Sequence, residues 1–385
     1  MFGYDIYSFG RMIEDRVRTE AYAEALRHSV EASSVVLDMG TGVGIWALLA
    51  CQLGARRVFA VDPNDAIQIA REIVAVNGYA GRIEFIQDLT TRITLPEQAD
   101  VIVTDMHGIV PMFEQNLTAI IDARRRLLAP GGKMIPEKDT LWAVPVEAPE
   151  SHNHVVLPWA NYPYGFDWEP ALRIAANDWF KIKDKVTPAE FFGEPKCWAT
   201  LDYRALESPN VMGELTWTAT RAGIGHGLAV WFDMLLVDGV RFSNAPGQPE
   251  TIFGQAFFPW SEPVSISKGD TISMVLRCDL VGNYHLWRWQ TTVFDHRQAA
   301  KVKADFKQST FFGMPLSSAL SRRAPNHVPR LSQDGEIQQF VLSLMNGRNS
   351  LETIITQTAI RFANRFGDSS DAANVVAELT EKYTE

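Results

Sequence analysis

Two aspartates flank a run of glycines near the start of the chain, and together they could hold a small polar ligand. Residues 35–62, VVLDMGTGVGIWALLACQLGARRVFAVD, have the pattern of a strand, a glycine turn, a helix and a second strand. Asp38 precedes three glycines on alternate positions, whereas a dinucleotide site has two residues between its second and third glycines. An acid at this place would repel a diphosphate but can hold the amino group of an amino acid. Asp62, at the tip of the second strand, can accept hydrogen bonds from ribose hydroxyls.

This pattern resembles that of the class I S-adenosylmethionine (SAM) methyltransferases. The resemblance implies SAM as the cofactor, with the following binding residues: Asp38, Gly40, Gly42 and Asp62. A nicotinamide site and an unused Rossmann turn are the alternatives. Asp88 and Leu89 follow a predicted strand and fall where class I methyltransferases contact the adenine. Asp88 could accept a hydrogen bond from the adenine amino group, or it could be an acid in a solvent-facing turn.

The stretch before the first strand, YDIYSFGRMIEDRVRT, resembles the N-terminal lid of the protein arginine methyltransferases. The chain lacks a few residues of that lid between the tyrosines and Met12. The resemblance implies a lid helix within residues 1–30 that closes over the cofactor, with Arg18 paired to the methionine carboxylate. The alternative for Tyr4 and Tyr7 is packing onto a neighbouring helix.

The loop after the fourth predicted strand has the sequence TDMHGIVPMFE, residues 104–114. In the arginine methyltransferases this loop carries two glutamates that grip the substrate guanidinium, and Asp105 and Glu114 have the same spacing of nine residues. Two carboxylates would neutralise a guanidinium and orient one of its nitrogens toward the methyl group. Asp105 is one methylene shorter than glutamate. His107 replaces an apolar residue; it could act as a base toward a carboxylic or amide substrate, or lie at the rim of the cleft.

From about residue 140 to residue 310, short alternating segments separated by turns predict a β-sandwich or barrel. Four tryptophans have strand spacing and are expected in its core: Trp217, Trp231, Trp287 and Trp289. In the arginine methyltransferases a Thr-His-Trp loop leans from the barrel over the substrate. Thr251, Ile252 and Phe253 take that place here, so the two diagnostic residues are absent. The acceptor could therefore be an arginine, a carboxylate or a small metabolite.

The C-terminal part of the chain begins with a segment of linker composition, PLSSALSRRAPNHVPR, and continues with three predicted helices. The stretch FVLSLMNGRNSLETII resembles the small winged-helix modules that bind leader peptides in ribosomal peptide natural-product pathways. The resemblance implies an extended peptide bound along an exposed strand edge. The alternative is a helical cap that binds no ligand.

Composition narrows the classes of function. The 385 residues are 46% hydrophobic, enough for about two or three domains, and a net charge of −10 argues against general nucleic-acid binding. The three cysteines lie far apart, so neither a disulfide framework nor a metal site is expected. Without a signal peptide or an apolar run of ~20 residues, the sequence predicts a cytoplasmic protein that has no membrane contact. Residues 163–195 loosely resemble the family's dimerisation arm and predict a homodimer.

Together these features predict an α/β fold class with a Rossmann-like methyltransferase domain followed by a β-barrel or sandwich. The predicted parts are a lid helix (1–30), a Rossmann-like domain (31–138), a barrel (139–312), a linker (313–330) and a helical, winged-helix-like module (331–385). The predicted function is SAM-dependent methylation of a peptide or protein side chain, with a ribosomal natural-product precursor as one substrate class. Asp105, Glu114 and His107 would face the acceptor. The alternatives are O- or N-methylation of a carboxylate or small metabolite, and a SAM-binding protein without catalysis.

Overall fold

The computed structural model describes residues 5–160, 165–184, 186–297, 301–313, 328–366 and 369–384. The chain divides into two compact units, Met1–Pro315 and Leu316–Glu385. Two parts of the predicted organisation lie outside the described residues: Tyr4 of the lid and residues 314–327 of the linker.

The chain begins with two helices, α1 (Ile6–Glu14) and α2 (Arg16–Ser29). The prediction of one continuous lid helix is wrong, because the backbone leaves helical geometry at Asp15, where ψ is 90°. The Asp15 side chain accepts a hydrogen bond from the backbone nitrogen of Arg18 and so caps α2. Tyr7 of α1 is exposed and does not pack onto a neighbouring helix.

The first sheet is parallel. Its strands are β1 (Val35–Met39), β2 (Arg57–Val61), β3 (Ile83–Ile86), β4 (Ala99–Thr104) and β5 (Leu128–Ile135). Helices α3 (Ile45–Gln52), α4 (Ala66–Val76) and α5 (Asn116–Arg126) connect them. The strand order is β3-β2-β1-β4-β5, so the chain reverses its direction of travel between β1 and β4. In open α/β sheets, ligands bind beyond the carboxyl ends of the strands at such a switch point.

Two antiparallel sheets follow and form a barrel-like domain. Their strands are β6 (Lys138–Val146), β7 (Phe180–Lys181), β8 (Lys196–Asp202), β9 (Val211–Thr218), β10 (Gly223–Val237), β11 (Val240–Ser243), β12 (Ala256–Ile266), β13 (Thr271–Val281), β14 (Tyr284–Phe294) and β15 (Val302–Ser309). One sheet has the order β7-β12-β10-β6-β8, with β11 on β10, and the other has the order β15-β14-β13-β9. The four barrel tryptophans are buried, which confirms that they belong to the core.

Two further helices, α6 (Pro149–Ala160) and α7 (Glu169–Ala175), lie between β6 and β7, and a short 3₁₀ helix, Pro188–Glu190, precedes β8. The chain is thus an α/β domain joined to an antiparallel barrel-like domain, as the sequence predicts. No helix in the described ranges is both long enough and apolar enough to cross a membrane. The cytoplasmic location stays a prediction.

The C-terminal unit contains three helices, Gln333–Leu344, Leu351–Arg361 and Ser369–Tyr383. Ser350 caps the second helix by accepting a hydrogen bond from the backbone nitrogen of Thr353, and Gly347, with φ 75°, lies in the turn before it. The helices enclose a small apolar core. Residues 328–366 and 369–384 contain no strand, so the strand edge expected of a winged-helix module is not found in the part of this unit that the structure describes.

Candidate active site

Four of the predicted acids lie at one edge of the parallel sheet. Asp38 is near the end of β1, Asp62 directly follows β2, Asp88 comes two residues after β3, and Asp105 directly follows β4. Because the strands are parallel, their carboxyl ends meet at the same edge. The fold therefore brings together acids that are up to 67 residues apart in the sequence.

The glycine turn allows the backbone to run close to its neighbours. Gly40 and Gly42 have φ values of 77° and 52°, a region that residues with a Cβ rarely adopt. A Cβ on Gly40 would lie 2.5 Å from Cγ of Met106, and a Cβ on Gly42 would lie 2.6 Å from the ring of Phe9. The turn thus touches both the loop after β4 and the lid.

Asp38 is buried beneath this turn. Its Oδ2 accepts hydrogen bonds from the Thr41 hydroxyl at 2.6 Å and from the Ala47 backbone nitrogen at 2.9 Å. Its Oδ1 is buried and has no hydrogen-bond partner. Burial raises the pKa of Asp38 to about 7, although these two hydrogen bonds act in the opposite direction. A buried carboxylate with an unused oxygen fits the positively charged amino group of SAM.

Asp62 is half-buried and already organises the turn. Its Oδ2 accepts a hydrogen bond from the Gly42 backbone nitrogen, and its Oδ1 accepts one from the Asn64 backbone nitrogen, both at 2.8 Å. Each carboxylate oxygen has a second lone pair that could accept a ribose hydroxyl. Asp88 is more open: its Oδ1 accepts from the backbone nitrogen of the half-buried Leu89 at 2.7 Å.

Arg18 and Asp105 form a buried ion pair between the lid and the loop after β4. Arg18 Nε donates to Asp105 Oδ2 at 2.5 Å, and a second guanidinium nitrogen contacts the same oxygen. The guanidinium also donates to the Met12 carbonyl at 2.7 Å and lies 5.1 Å from the ring centre of Trp46. Burial lowers the pKa of Arg18, but the Asp105 carboxylate outweighs it and raises that pKa overall. Asp105 Oδ1 is buried without a partner.

We call residues 105–115 the acceptor loop. Glu114 lies near its other end and is exposed, so the two predicted acceptor acids have different surroundings. Glu114 has φ 45°, the only positive φ of a non-glycine residue in the described part of the chain. Such a conformation costs about 1–2 kcal/mol and is typical of functional sites. The neighbouring Gln115 fastens the loop by donating to Gly282 O and Asn283 Oδ1 on the β13–β14 turn.

The structure does not support His107 as a base. Its ring is almost fully buried, with Nε2 3.0 Å from Asp139 Oδ2 and Nδ1 2.8 Å from the Gly108 carbonyl oxygen. A base needs a lone pair within reach of the proton that it removes, and both ring nitrogens face acceptors instead. Asp139, on β6, is a partner that the sequence pattern did not identify.

Asp15 is a second residue that the sequence analysis missed. One oxygen caps α2, and the other accepts a hydrogen bond from the backbone nitrogen of Ile252 at 2.7 Å. Asp15 therefore joins the lid to the barrel loop that contains Thr251, Ile252 and Phe253. The available signal was an aspartate three residues before Arg18 at a helix start.

Comparisons with known proteins agree with this geometry. Residues 18–136 match the family described as ribosomal protein L11 methyltransferase (PrmA), and residues 137–285 match the arginine methyltransferase oligomerization subdomain. Protein arginine N-methyltransferase 1 of Dictyostelium discoideum is 29% identical over 331 residues, which cover 83% of this chain and 92% of that protein. Over most of its length the chain is similar to protein arginine methyltransferases. It is a SAM-dependent methyltransferase, and SAM is its cofactor.

Other arginine methyltransferases match over different lengths. Probable protein arginine N-methyltransferase 6 of Arabidopsis thaliana is 30% identical over 62% of this chain, but the match spans only 55% of that protein. The Trypanosoma brucei PRMT1 enzyme-prozyme heterotetrameric complex with AdoHcy has a TM-score of 0.69 and 25% identity, over 79% of this chain and 100% of that chain. Arabidopsis thaliana protein arginine methyltransferase 10 has the same TM-score and 23% identity, over 80% of this chain and 98% of that chain. It shares the fold.

Replacing Asp62 with alanine should weaken SAM binding by ~1–3 kcal/mol, because it removes the acceptor expected for the ribose hydroxyls. Titration calorimetry with SAM measures the change. Asp65→Ala is the matched control, since Asp65 is exposed three residues further along and accepts from the Gln87 side chain. Equal SAM affinity of the two variants would show that Asp62 does not contact the cofactor.

Proposed function

We propose that the chain methylates a guanidinium nitrogen of an arginine in a peptide or protein. The observation that carries the proposal is Asp105, a buried carboxylate on the acceptor loop that has one oxygen on Arg18 and the other unused. A guanidinium has N–H donors in a fixed fork that matches carboxylates. Bound SAM supplies the methyl group, and its transfer to a nitrogen leaves S-adenosylhomocysteine and releases one proton from that nitrogen.

In this proposal Asp105 and Glu114 of the acceptor loop have different roles. Asp105 Oδ1 accepts a hydrogen bond from one guanidinium nitrogen, and Arg18 keeps the carboxylate in place from the other side. Glu114 binds further N–H groups and supplies the second negative charge. Held in this way, the guanidinium presents one nitrogen to the methyl group, and methyl transfer depends strongly on such positioning.

The barrel loop that contains Thr251, Ile252 and Phe253 contacts the lid although it lacks the histidine of the Thr-His-Trp pattern. Asp15 reaches the loop through the Ile252 backbone nitrogen, a contact that any residue at this position can make. Phe253 is buried and stacks on Phe242 with a ring separation of 6.2 Å. The loop thus keeps its place beside the lid, which supports an arginine acceptor despite Ile252 and Phe253.

Methylation of a carboxylate or of a small metabolite is the second candidate. A carboxylate acceptor would meet the negative charges of Asp105 and Glu114, and the base that it needs is not provided by His107 in this geometry. The third sequence-based alternative, a SAM-binding protein without catalysis, is set aside by the match to SAM-dependent methyltransferases.

Mass spectrometry of peptides incubated with the enzyme and SAM tests the proposal. We expect fragment ions to place one added methyl group on arginine, and no addition on matched peptides in which that arginine is lysine. A methyl group on a carboxylate or amide would contradict the proposal and favour the second candidate. No methylated peptide at all would favour a small metabolite as the acceptor.

We further propose that residues 331–385 present the peptide substrate, with a ribosomal natural-product precursor as the substrate class. The support is the resemblance of FVLSLMNGRNSLETII to leader-binding modules and the exposed apolar side chains of Leu342, Leu351 and Ile360. Because the described helices provide no strand edge, such a peptide would bind a helix surface.

Removing residues 325–385 should leave SAM affinity unchanged and raise the KM for a leader-bearing precursor about tenfold, because a tethered second site raises the effective substrate concentration. Steady-state kinetics with the full precursor and with its core peptide alone measure this. The core peptide is the control, for which the full-length and the truncated protein should have the same KM. Equal KM values for the full precursor would reject a role of this unit in substrate recognition.

A homodimer remains our proposal for the assembly. Leu157, Phe166 and Trp168, in or next to α6 and α7, are exposed apolar side chains of the kind that a partner would cover. Phe191 and Phe192, also expected in the dimerisation arm, are instead buried. Sedimentation analysis of the oligomeric state tests the proposal, with Phe166→Ser as the variant that should weaken association.

A further inference from the structure

His107, Asp139 and Tyr203 form a buried cluster between the acceptor loop and the barrel. His107 Nε2 lies 3.0 Å from Asp139 Oδ2, and the Tyr203 hydroxyl donates to the same oxygen. Asp139 is fully buried on β6, and Tyr203 directly follows β8. The cluster is therefore a direct link from the loop that carries Asp105 to two barrel strands.

The hydrogen-bond partners of His107 favour its protonated form. Nδ1 faces the Gly108 carbonyl oxygen and Nε2 faces the Asp139 carboxylate, and both of these groups accept hydrogen bonds. A neutral imidazole has one N–H and would turn a lone pair toward one of them. The imidazolium satisfies both and neutralises the buried Asp139, whose Oδ1 has no partner.

The backbone transmits the position of this imidazolium to Asp105. The His107 backbone nitrogen donates to the Asp105 carbonyl oxygen at 2.8 Å, which closes a tight turn between the two residues. The rings of Phe232 and Phe253, at 4.3 and 5.3 Å from the imidazole, limit its movement. A shift of the imidazole would therefore shift the acid that faces the acceptor.

We propose that His107, Asp139 and Tyr203 are positioning residues, whose ion pair fastens the acceptor loop to β6 and holds Asp105 in the geometry needed for methyl transfer. None of the three is required to contact the substrate. The inference rests on the proposed function for the role of Asp105, and it replaces the base expected at His107 with a structural cation.

The link should depend on pH. Burial lowers the pKa of His107, but Asp139, the Gly108 carbonyl and Asp105 outweigh it and raise that pKa above 6.5. A raised histidine pKa means that the ion pair is complete below the unfolded value of about 6.5 and is lost as pH rises through the folded value. The other side chains packed against the imidazole, Phe232 and Phe253, carry no charge. Tyr203 affects the imidazole only through Asp139. Methyl transfer should therefore fall on the basic side.

The test uses full-length protein with ¹³C-labelled histidine rings, and His107→Gln assigns the His107 signal. We expect the His107 signal in wild type to titrate above pH 6.5 and the basic limb of kcat to follow it. Asp139→Asn removes the charge, so it should lower both midpoints by about 1–3 pH units and lower kcat about tenfold, with the KM for SAM unchanged. Tyr203→Phe removes the second donor to Asp139 Oδ2 and should lower kcat by less than Asp139→Asn does. Asp305→Asn, at an exposed carboxylate on β15, is the matched control and should change neither the midpoints nor kcat.

Hydrogen exchange of residues 105–115 at one pH gives a readout that needs no methyl acceptor. Asp139→Asn should speed exchange in this loop and leave β1 unaffected. A His107 midpoint at or below 6.5, or unchanged loop exchange in both Asp139→Asn and Tyr203→Phe, would overturn the inference. If wild type methylates no peptide, the proposed function fails, while the titration and exchange still decide whether the ion pair holds the loop.

Discussion

Glu114→Gln should lower kcat for an arginine peptide by about 10²- to 10³-fold and leave SAM affinity unchanged. Glutamine keeps the size of the side chain but loses the charge, and its amide nitrogen would point a donor at guanidinium donors. Because Glu114 is exposed, little stability should be lost with the charge. Single-turnover methylation measures the chemical step, and titration calorimetry measures SAM binding.

The backbone at Glu114 provides a second variant that separates catalysis from folding. Glu114→Gly also removes the carboxylate, but it relieves the strain of φ 45°, so it should gain about 1 kcal/mol in the free energy of unfolding. Both variants should lose methyl transfer to a similar extent, whereas only the glycine variant should be more stable. Glu20→Gln, at an exposed position of α2, is the matched control. Survival of methylation in Glu114→Gln would mean that the acceptor is not a cation held by this acid.

The sequence was informative wherever a feature is set by neighbouring residues. β-Branched runs that end in Asp38 and Asp62, separated by a glycine turn and a helix, specify a strand-helix-strand unit locally. Parallel pairing then places Asp105 at the same edge of the sheet without further information. The spacing of the barrel tryptophans likewise predicted their burial, because strand side chains alternate between two faces.

Features that depend on the register of distant strands could not be predicted. Asp139 lies 32 residues beyond His107 on a strand of the other domain, so nothing in the loop identifies it as the partner. The break at Asp15 was missed because the helical periodicity of α1 and α2 continues across it. In the C-terminal unit, periodicity predicted three helices, but the resemblance suggested a strand edge that residues 328–366 and 369–384 do not contain.

Arg18→Met should weaken SAM binding about 10²-fold and lower the free energy of unfolding by about 3–5 kcal/mol. The first effect is expected because Arg18 is the residue that we assign to the methionine carboxylate of SAM. The second follows from the structure, since Asp105 would keep a buried charge without its partner. Thermal unfolding without cofactor and titration calorimetry with SAM measure the two effects separately. Arg16→Ala, at an exposed position of the same helix, is the control and should change neither.

A double variant shows whether the broken ion pair causes the loss of stability in Arg18→Met. Arg18→Met with Asp105→Asn removes both charges, so it should recover most of the lost stability but neither SAM affinity nor methyl transfer. If the double variant is as unstable as Arg18→Met, the buried Asp105 charge is not the cause of the loss. If Arg18→Met binds SAM as tightly as Arg16→Ala does, the carboxylate assignment is wrong. Arg18 would then act on the acceptor side alone, by holding Asp105 in place.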